Sequence, residues 1–154
     1  MTKNILLCLL TCCLFVLSST AQTQTVGKFI HTQDAYDGYT LFAPIRGTST
    51  YLIDNCGRKI HSWTGTTSPG VSVYLLEDGN LLKTKKVTNT TFTAGGSGGG
   101  MQLVDWNSNV IWDYTISSTL ECQHHDIEYL PNGNILAIVW DSKTQAEATQ
   151  AGRT

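Results

Sequence analysis

Two stretches of this chain match each other: Val73-Tyr74-Leu75-Leu76-Glu77-Asp78-Gly79-Asn80-Leu81-Leu82-Lys83 and Ile127-Glu128-Tyr129-Leu130-Pro131-Asn132-Gly133-Asn134-Ile135-Leu136-Ala137. Each reads as an apolar strand, a turn carrying Asp-Gly or Asn-Gly, and a second apolar strand. Such turns need positive φ, which Gly and Asn tolerate. Gly79 and Gly133 stand 54 positions apart.

A second pair of hairpins interleaves with the first. Tyr51-Leu52-Ile53-Asp54, the turn Asn55-Cys56-Gly57 and Ile60-His61-Ser62-Trp63 match Gln102-Leu103-Val104-Asp105, the turn Asn107-Ser108-Asn109 and Val110-Ile111-Trp112-Asp113-Tyr114. Asp54 and Asp105 are 51 positions apart. The unit is two hairpins, or four short antiparallel strands, in about fifty residues, the period of a β-propeller blade. The expected fold class is therefore all-β: a partial β-propeller of about two four-stranded blades. A single sandwich of eight or more strands is the other architecture this spacing allows.

Outside the repeat, Tyr39-Thr40-Leu41-Phe42 reads as a leading strand or part of an N-terminal appendage. Thr88 to Gly100 is low in complexity, and its Gly95-Gly96-Ser97-Gly98-Gly99-Gly100 run reads as a flexible connector. It lacks the Lys-Ser/Thr and the following helix that a phosphate loop requires. Asp141 to Gly152 reads as a short helix capped by Ser142 and Gln145, with Gly152 past its end.

Composition narrows the function classes. The chain has 154 residues, 10 Lys+Arg against 12 Asp+Glu, and only 14% charged residues. A slightly acidic chain lacks the basic excess of a nucleic-acid binder. With 41% hydrophobic residues it is not a disordered polymer, and its 22 Thr favour strands over helices. At the N-terminus, Lys3, the apolar run Ile5 to Leu17 and the small residues Ser19-Thr20-Ala21 have the layout of a secretory signal peptide. The expected organisation is a signal peptide over 1–21, a leading segment over 22–50, and propeller blades over 51–154. Export leaves Cys56 and Cys122, which can form one bridge in an oxidising compartment. After signal removal no membrane segment is expected.

The residues richest in chemistry are Gln123-His124-His125-Asp126, directly before a strand. Neighbours in a strand face opposite ways, so one imidazole points into packing and the other toward solvent or a cavity. His125 shares parity with Ile127, and His124 with Asp126. Functional readings are a nucleophilic or acid/base histidine, with Asp126 fixing a tautomer through one ring nitrogen. His31 and His61 are not spaced to complete a metal site. Trp63, Trp106, Trp112 and Trp140 read as packing residues. Arg58, Lys59, Lys83, Lys85 and Lys86 read as a solvated face. Asn89-Thr90-Thr91 matches a glycosylation sequon.

The strings Tyr51–Gly57, Val73–Leu82 and Gln123-His124-His125-Asp126-Ile127, with Leu130-Pro131-Asn132-Gly133-Asn134, together resemble the N-terminal part of the arylsulfate sulfotransferase family, in its exported bacterial members. The likeness runs from about Thr25 to the last residue. It implies a six-bladed propeller and a periplasmic or extracellular location. It implies transfer of a sulfuryl group from a phenolic sulfate ester to a phenol, without a nucleotide donor or other cofactor. It also implies a sulfohistidine intermediate in a central channel, with further histidines and an arginine binding sulfate. His124 or His125 matches one of those channel histidines; which is the nucleophile and which binds sulfate stays open. No arginine lies near the string in sequence. The family continues past the point where this chain stops, so the resemblance implies an N-terminal fragment that is inactive alone. A non-catalytic binding module and a sulfate-ester hydrolase are the alternative functions, and the oligomeric state is left open.

Overall fold

The computed structural model describes residues 30–153, which form nine strands and one short helix. The expected signal peptide, 1–21, lies outside the described residues. The strands are β1 (Tyr39–Phe42), β2 (Ser49–Asp54), β3 (Lys59–Thr64), β4 (Pro69–Leu75), β5 (Leu81–Lys86), β6 (Gly99–Val104), β7 (Val110–Thr115), β8 (Glu121–Tyr129) and β9 (Ile135–Asp141). All pair antiparallel in chain order, as three separate sheets: β1-β2-β3, β4-β5-β6-β7 and β8-β9. The all-β reading holds. The repeat is divided differently from the expected two four-stranded units: one four-stranded sheet is flanked by a three-stranded and a two-stranded one. The Tyr39–Phe42 segment is a strand paired with β2. Among the described residues no helix is long and apolar enough to cross a membrane.

The four hairpins share one turn. In β2–β3, β4–β5, β6–β7 and β8–β9 the residue before the turn donates its amide to a carbonyl four positions on. These bonds are Asp54 to Arg58 (3.0 Å), Leu76 to Asn80 (2.8 Å), Asp105 to Asn109 (2.9 Å) and Leu130 to Asn134 (2.8 Å). The carbonyl of that same residue accepts from the amide three positions on, at Gly57, Gly79, Ser108 and Gly133. This is a type I turn closed by a residue at positive φ. Those residues have φ of 76°, 84°, 72° and 84°. Asp78 and Asn132 are not in the positive-φ region; each instead accepts a backbone hydrogen bond from the residue two positions on. Ser108 departs from glycine because its hydroxyl works: Oγ accepts the Thr64 amide at 3.1 Å, tying the first sheet to the second.

The core has two halves, one on each side of β4–β7. Successive side chains of β5 alternate between the faces. Leu81 packs with Leu52, Trp63 and Val104 toward the three-stranded sheet, and Leu82 packs with Met101 and Ile127 toward β8-β9. Both leucines are fully buried. The solvated-face reading holds for Arg58, Lys59 and Lys86, which are exposed, and fails for the middle of β5. Lys83, Thr84 and Lys85 are buried as well. The Lys85 ammonium is paired with Asp113, whose other oxygen accepts from Gln102 at 2.6 Å. Among the described residues Lys83 has no ion-pair or hydrogen-bond partner, and burial pushes its ammonium below the usual lysine range.

The C-terminal helix, α1 (Gln145–Gln150), is shorter than expected and capped elsewhere. Its N-cap is Thr144, in a capping box with Glu147. Ser142 cannot serve because β9 runs through Asp141 and the Ser142 amide bonds to Leu120. Gly152 follows the helix at φ 93°.

Two stability measurements test these forces. A Cβ at Gly79 meets nothing within 4 Å, so Gly79→Ala is expected to cost only the backbone penalty of positive φ, about 1 kcal/mol in urea unfolding. Gly95→Ala, equally open but not at positive φ, is expected to be neutral or slightly stabilising. Lys83→Met is expected to stabilise slightly at pH 7, because it removes a partly desolvated ammonium. The lysine's folded pKa lies below its unfolded value, so its penalty fades as pH rises toward the ordinary lysine range. The advantage of Lys83→Met should shrink there in parallel.

Candidate functional site

The Gln123-His124-His125-Asp126 string lies within β8, where its pairing with β9 slips between Gln123 and Ile127. His125 takes φ 55° in this irregularity. Strict alternation therefore fails here. His125 would follow Ile127 into the core, but the left-handed backbone turns it out to an exposed position, while His124 is half-buried. The His124 ring lies on Trp140 at 3.8 Å, and Trp140 in turn stacks on Phe92.

The same device occurs one repeat earlier. In β4 the pairing slips between Pro69 and Val73, and Val71, 54 positions before His125, has φ 147°. Positive φ is an outlier for a β-branched residue. Bulges of this kind re-aim side chains next to functional sites.

The glycine run is not a flexible connector. Ser97, Gly98, Gly99 and Gly100 are buried, and Gly99 and Gly100 already belong to β6. Glycine is demanded by close approach. A Cβ at Gly96 would stand 2.1 Å from His125 Cε1, and one at Gly98 would stand 2.1 Å from Gln123 Oε1. The His125 amide donates to the Gly96 carbonyl at 2.8 Å, and Ser97 bridges to His124. The loop is thus the wall against which the histidines are set. Buried Gln123 accepts the Gly99 amide through Oε1, leaving its Nε2 without a protein partner.

The two imidazoles are joined. His125 Nδ1 lies 2.9 Å from His124 Nδ1, and His124 Nε2 lies 3.2 Å from the Gly95 carbonyl oxygen. Asp126 does not serve them as a tautomer anchor. Its Oδ1 accepts from the Tyr74 hydroxyl at 2.6 Å and from the Ile127 amide at 2.9 Å. The Tyr74 bond chiefly holds the Asp126 carboxyl below the usual range, and the same bond pushes the Tyr74 phenol up to about 12. This bond links β4 to β8 at the surface rather than acting on the histidines.

A cleft of about 490 Å³ adjoins the pair, lined by residues that include Arg46, Val71, Lys86, Gly96 and Ser97. Gly96 is common to both features, lining the cleft and lying under the His125 ring. Lys86 Nζ donates to the Ser97 carbonyl and hydroxyl, each at 2.5 Å, which leaves one of its three protons for an anion. Arg46 is brought in from the β1–β2 loop, far from the histidines in sequence. No local motif flags it. A larger cleft of about 620 Å³ runs between the β4–β5 and β8–β9 turns, but its charged lining is Glu77, Asp78 and Glu128, which repel an anion.

Other sequence candidates fall elsewhere. Cys56 is exposed in the β2–β3 turn, Cys122 is buried in β8, and no disulfide joins them. Asn89 is a structural staple: its amide donates to Ser117 Oγ and the Ser118 carbonyl, and its oxygen accepts from Thr91 and Phe92. Trp63 is buried, as a packing residue should be, but Trp106 and Trp112 are exposed. Comparison with protein-family models, curated proteins and solved structures finds no match to this chain.

The Tyr74–Asp126 bond gives a prediction of its own. Tyr74→Phe is expected to destabilise by about 1 kcal/mol at pH 7. Asp126 has its folded pKa lowered, so its contribution is present above the unfolded carboxylate range and lost as pH falls through the folded value. Urea unfolding of both proteins should show the gap closing on acidification.

Proposed function

We propose that this chain belongs to an exported β-propeller of the arylsulfate sulfotransferase type, moving a sulfuryl group from a phenolic sulfate ester to a phenol through a histidine. The observation that carries the reading is the exposed His125, held out by a strained bulge beside a cleft bearing Arg46 and Lys86. A neutral imidazole is a competent nucleophile. Two cations beside it suit the charge on the oxygens of a sulfate ester.

Three further points support the reading. The sheets are short antiparallel meanders stacked face to face, as blades are. Their order, three strands, then four, then two, fits successive blades in which β4 and β8 are the inner strands, and the histidines stand at the entry of an inner strand. The cleft at that entry is positive, whereas the opposite turns carry Glu77, Asp78 and Glu128. Ligands of propellers bind where inner strands begin, so the charge asymmetry favours an anionic substrate at this end.

The test is turnover of 4-nitrophenyl sulfate with phenol as acceptor, by protein expressed from its full reading frame. Phenyl sulfate should form, and intact-mass analysis of protein quenched without acceptor should show one added sulfuryl group. Changing both His124 and His125 to Ala should lower turnover more than about a hundredfold. Folded protein without turnover, or a double variant that keeps it, overturns the reading. Inorganic sulfate as product, whether or not phenol is present, would instead identify a hydrolase.

A further inference from the structure

We infer that His125 Nε2 is the reacting atom and that His124 is a positioning residue that fixes its tautomer. The substrate rests on the sulfuryl-transfer reading; the assignment of the two rings does not.

Donors and acceptors fix the two roles. The Gly95 carbonyl oxygen can only accept, so the His124 nitrogen facing it, Nε2 at 3.2 Å, carries the proton. A neutral imidazole has one N–H, so His124 Nδ1 is an acceptor. The nitrogen that faces it at 2.9 Å, His125 Nδ1, must therefore donate. His125 Nε2 is left with its lone pair. The chain of bonds begins at a backbone atom of the glycine loop and ends at the exposed ring. Each link is held independently: His124 by Trp140, and His125 by its own amide bond to Gly96.

The same bonds describe the transfer. The His125 Nε2 lone pair forms an N–S bond while the S–O(aryl) bond breaks, its electron pair leaving on the phenolate. The positive charge that develops on the His125 ring is shared through Nδ1–H with His124 Nδ1. In the second half the phenol oxygen attacks sulfur, the N–S pair returns to Nε2, and the phenol proton is lost to water.

The experiment is ¹⁵N–¹H long-range correlation NMR of the histidines in the full protein, read beside turnover of single variants. The expected spectrum shows the Nε2–H tautomer for His124 and the Nδ1–H tautomer for His125. In His124→Ala, loss of the acceptor should return His125 toward Nε2–H and lower turnover about tenfold or more, with KM little changed. His125→Ala should abolish turnover and the added sulfuryl group on the protein. An Nε2–H tautomer for His125 in the wild type, or a His125→Ala variant that still turns over, overturns the assignment. If the tautomers are as stated and no variant or wild type transfers sulfate, the reaction class fails while the positioning role stands.

Discussion

The rest of the molecule depends on the burial of β5 on both faces. A strand that places Leu81 toward one neighbour and Leu82 toward the other needs a cover on each side. Apolar burial is worth roughly 25 cal/mol per Å², and no single sheet can bury two faces by itself. The three-stranded and two-stranded sheets are thus not decoration on β4–β7. They are the condition under which its core exists. The same double burial carries Lys83 and Lys85 inward with the leucines. Lys85 is compensated by Asp113, and Lys83 is not.

Much of this was legible in the sequence. The four turns were readable because each needs positive φ at one position, and Gly57, Gly79 and Gly133 announce it. Ser108 hides the same turn behind a residue kept for its bond to Thr64. The strands followed from apolar runs between the turns, including Tyr39–Phe42. The grouping of strands into sheets was not legible, because hairpin signals mark neighbours along the chain and say nothing of where one sheet stops pairing. The helix cap was misplaced for a related reason: Ser142 satisfies the local pattern, but the length of β9 removes it from use.

At the site the sequence singled out the His124-His125 string but not the residues that the structure sets beside it. Alternation predicts side-chain faces only while the pairing register holds, and it slips at His125. The glycine run reads as flexible because composition cannot distinguish glycine chosen for mobility from glycine forced by contact. Only the placement of His125 against Gly96, and of Gln123 against Gly98, reveals the second case. Asp126 was assigned to the nearest imidazoles on proximity in sequence, whereas Tyr74 reaches it from the neighbouring sheet. Arg46 and Lys86 were invisible as a pair for the converse reason: they come from different loops and strands, and only the packing of the first sheet on the second brings them to one cleft.

The comparison of His125 with Val71 separates architecture from chemistry. Both sit at the same place in the repeat, both at positive φ, and both within a slip of the strand register. Strain at functional sites is often read as a cost borne for function. Here the strained bulge also occurs where the side chain is a valine with no chemistry. The bulge therefore belongs to the repeat, and it turns out one side chain from β4 and one from β8. What distinguishes the second copy is what surrounds that position. His124 replaces Gly70, and the wall of the glycine loop supplies the Gly95 carbonyl and the bare surface of Gly96. Setting a histidine pair there needs no new fold, only two residues changed on a bulge already present and a glycine-rich loop to admit them.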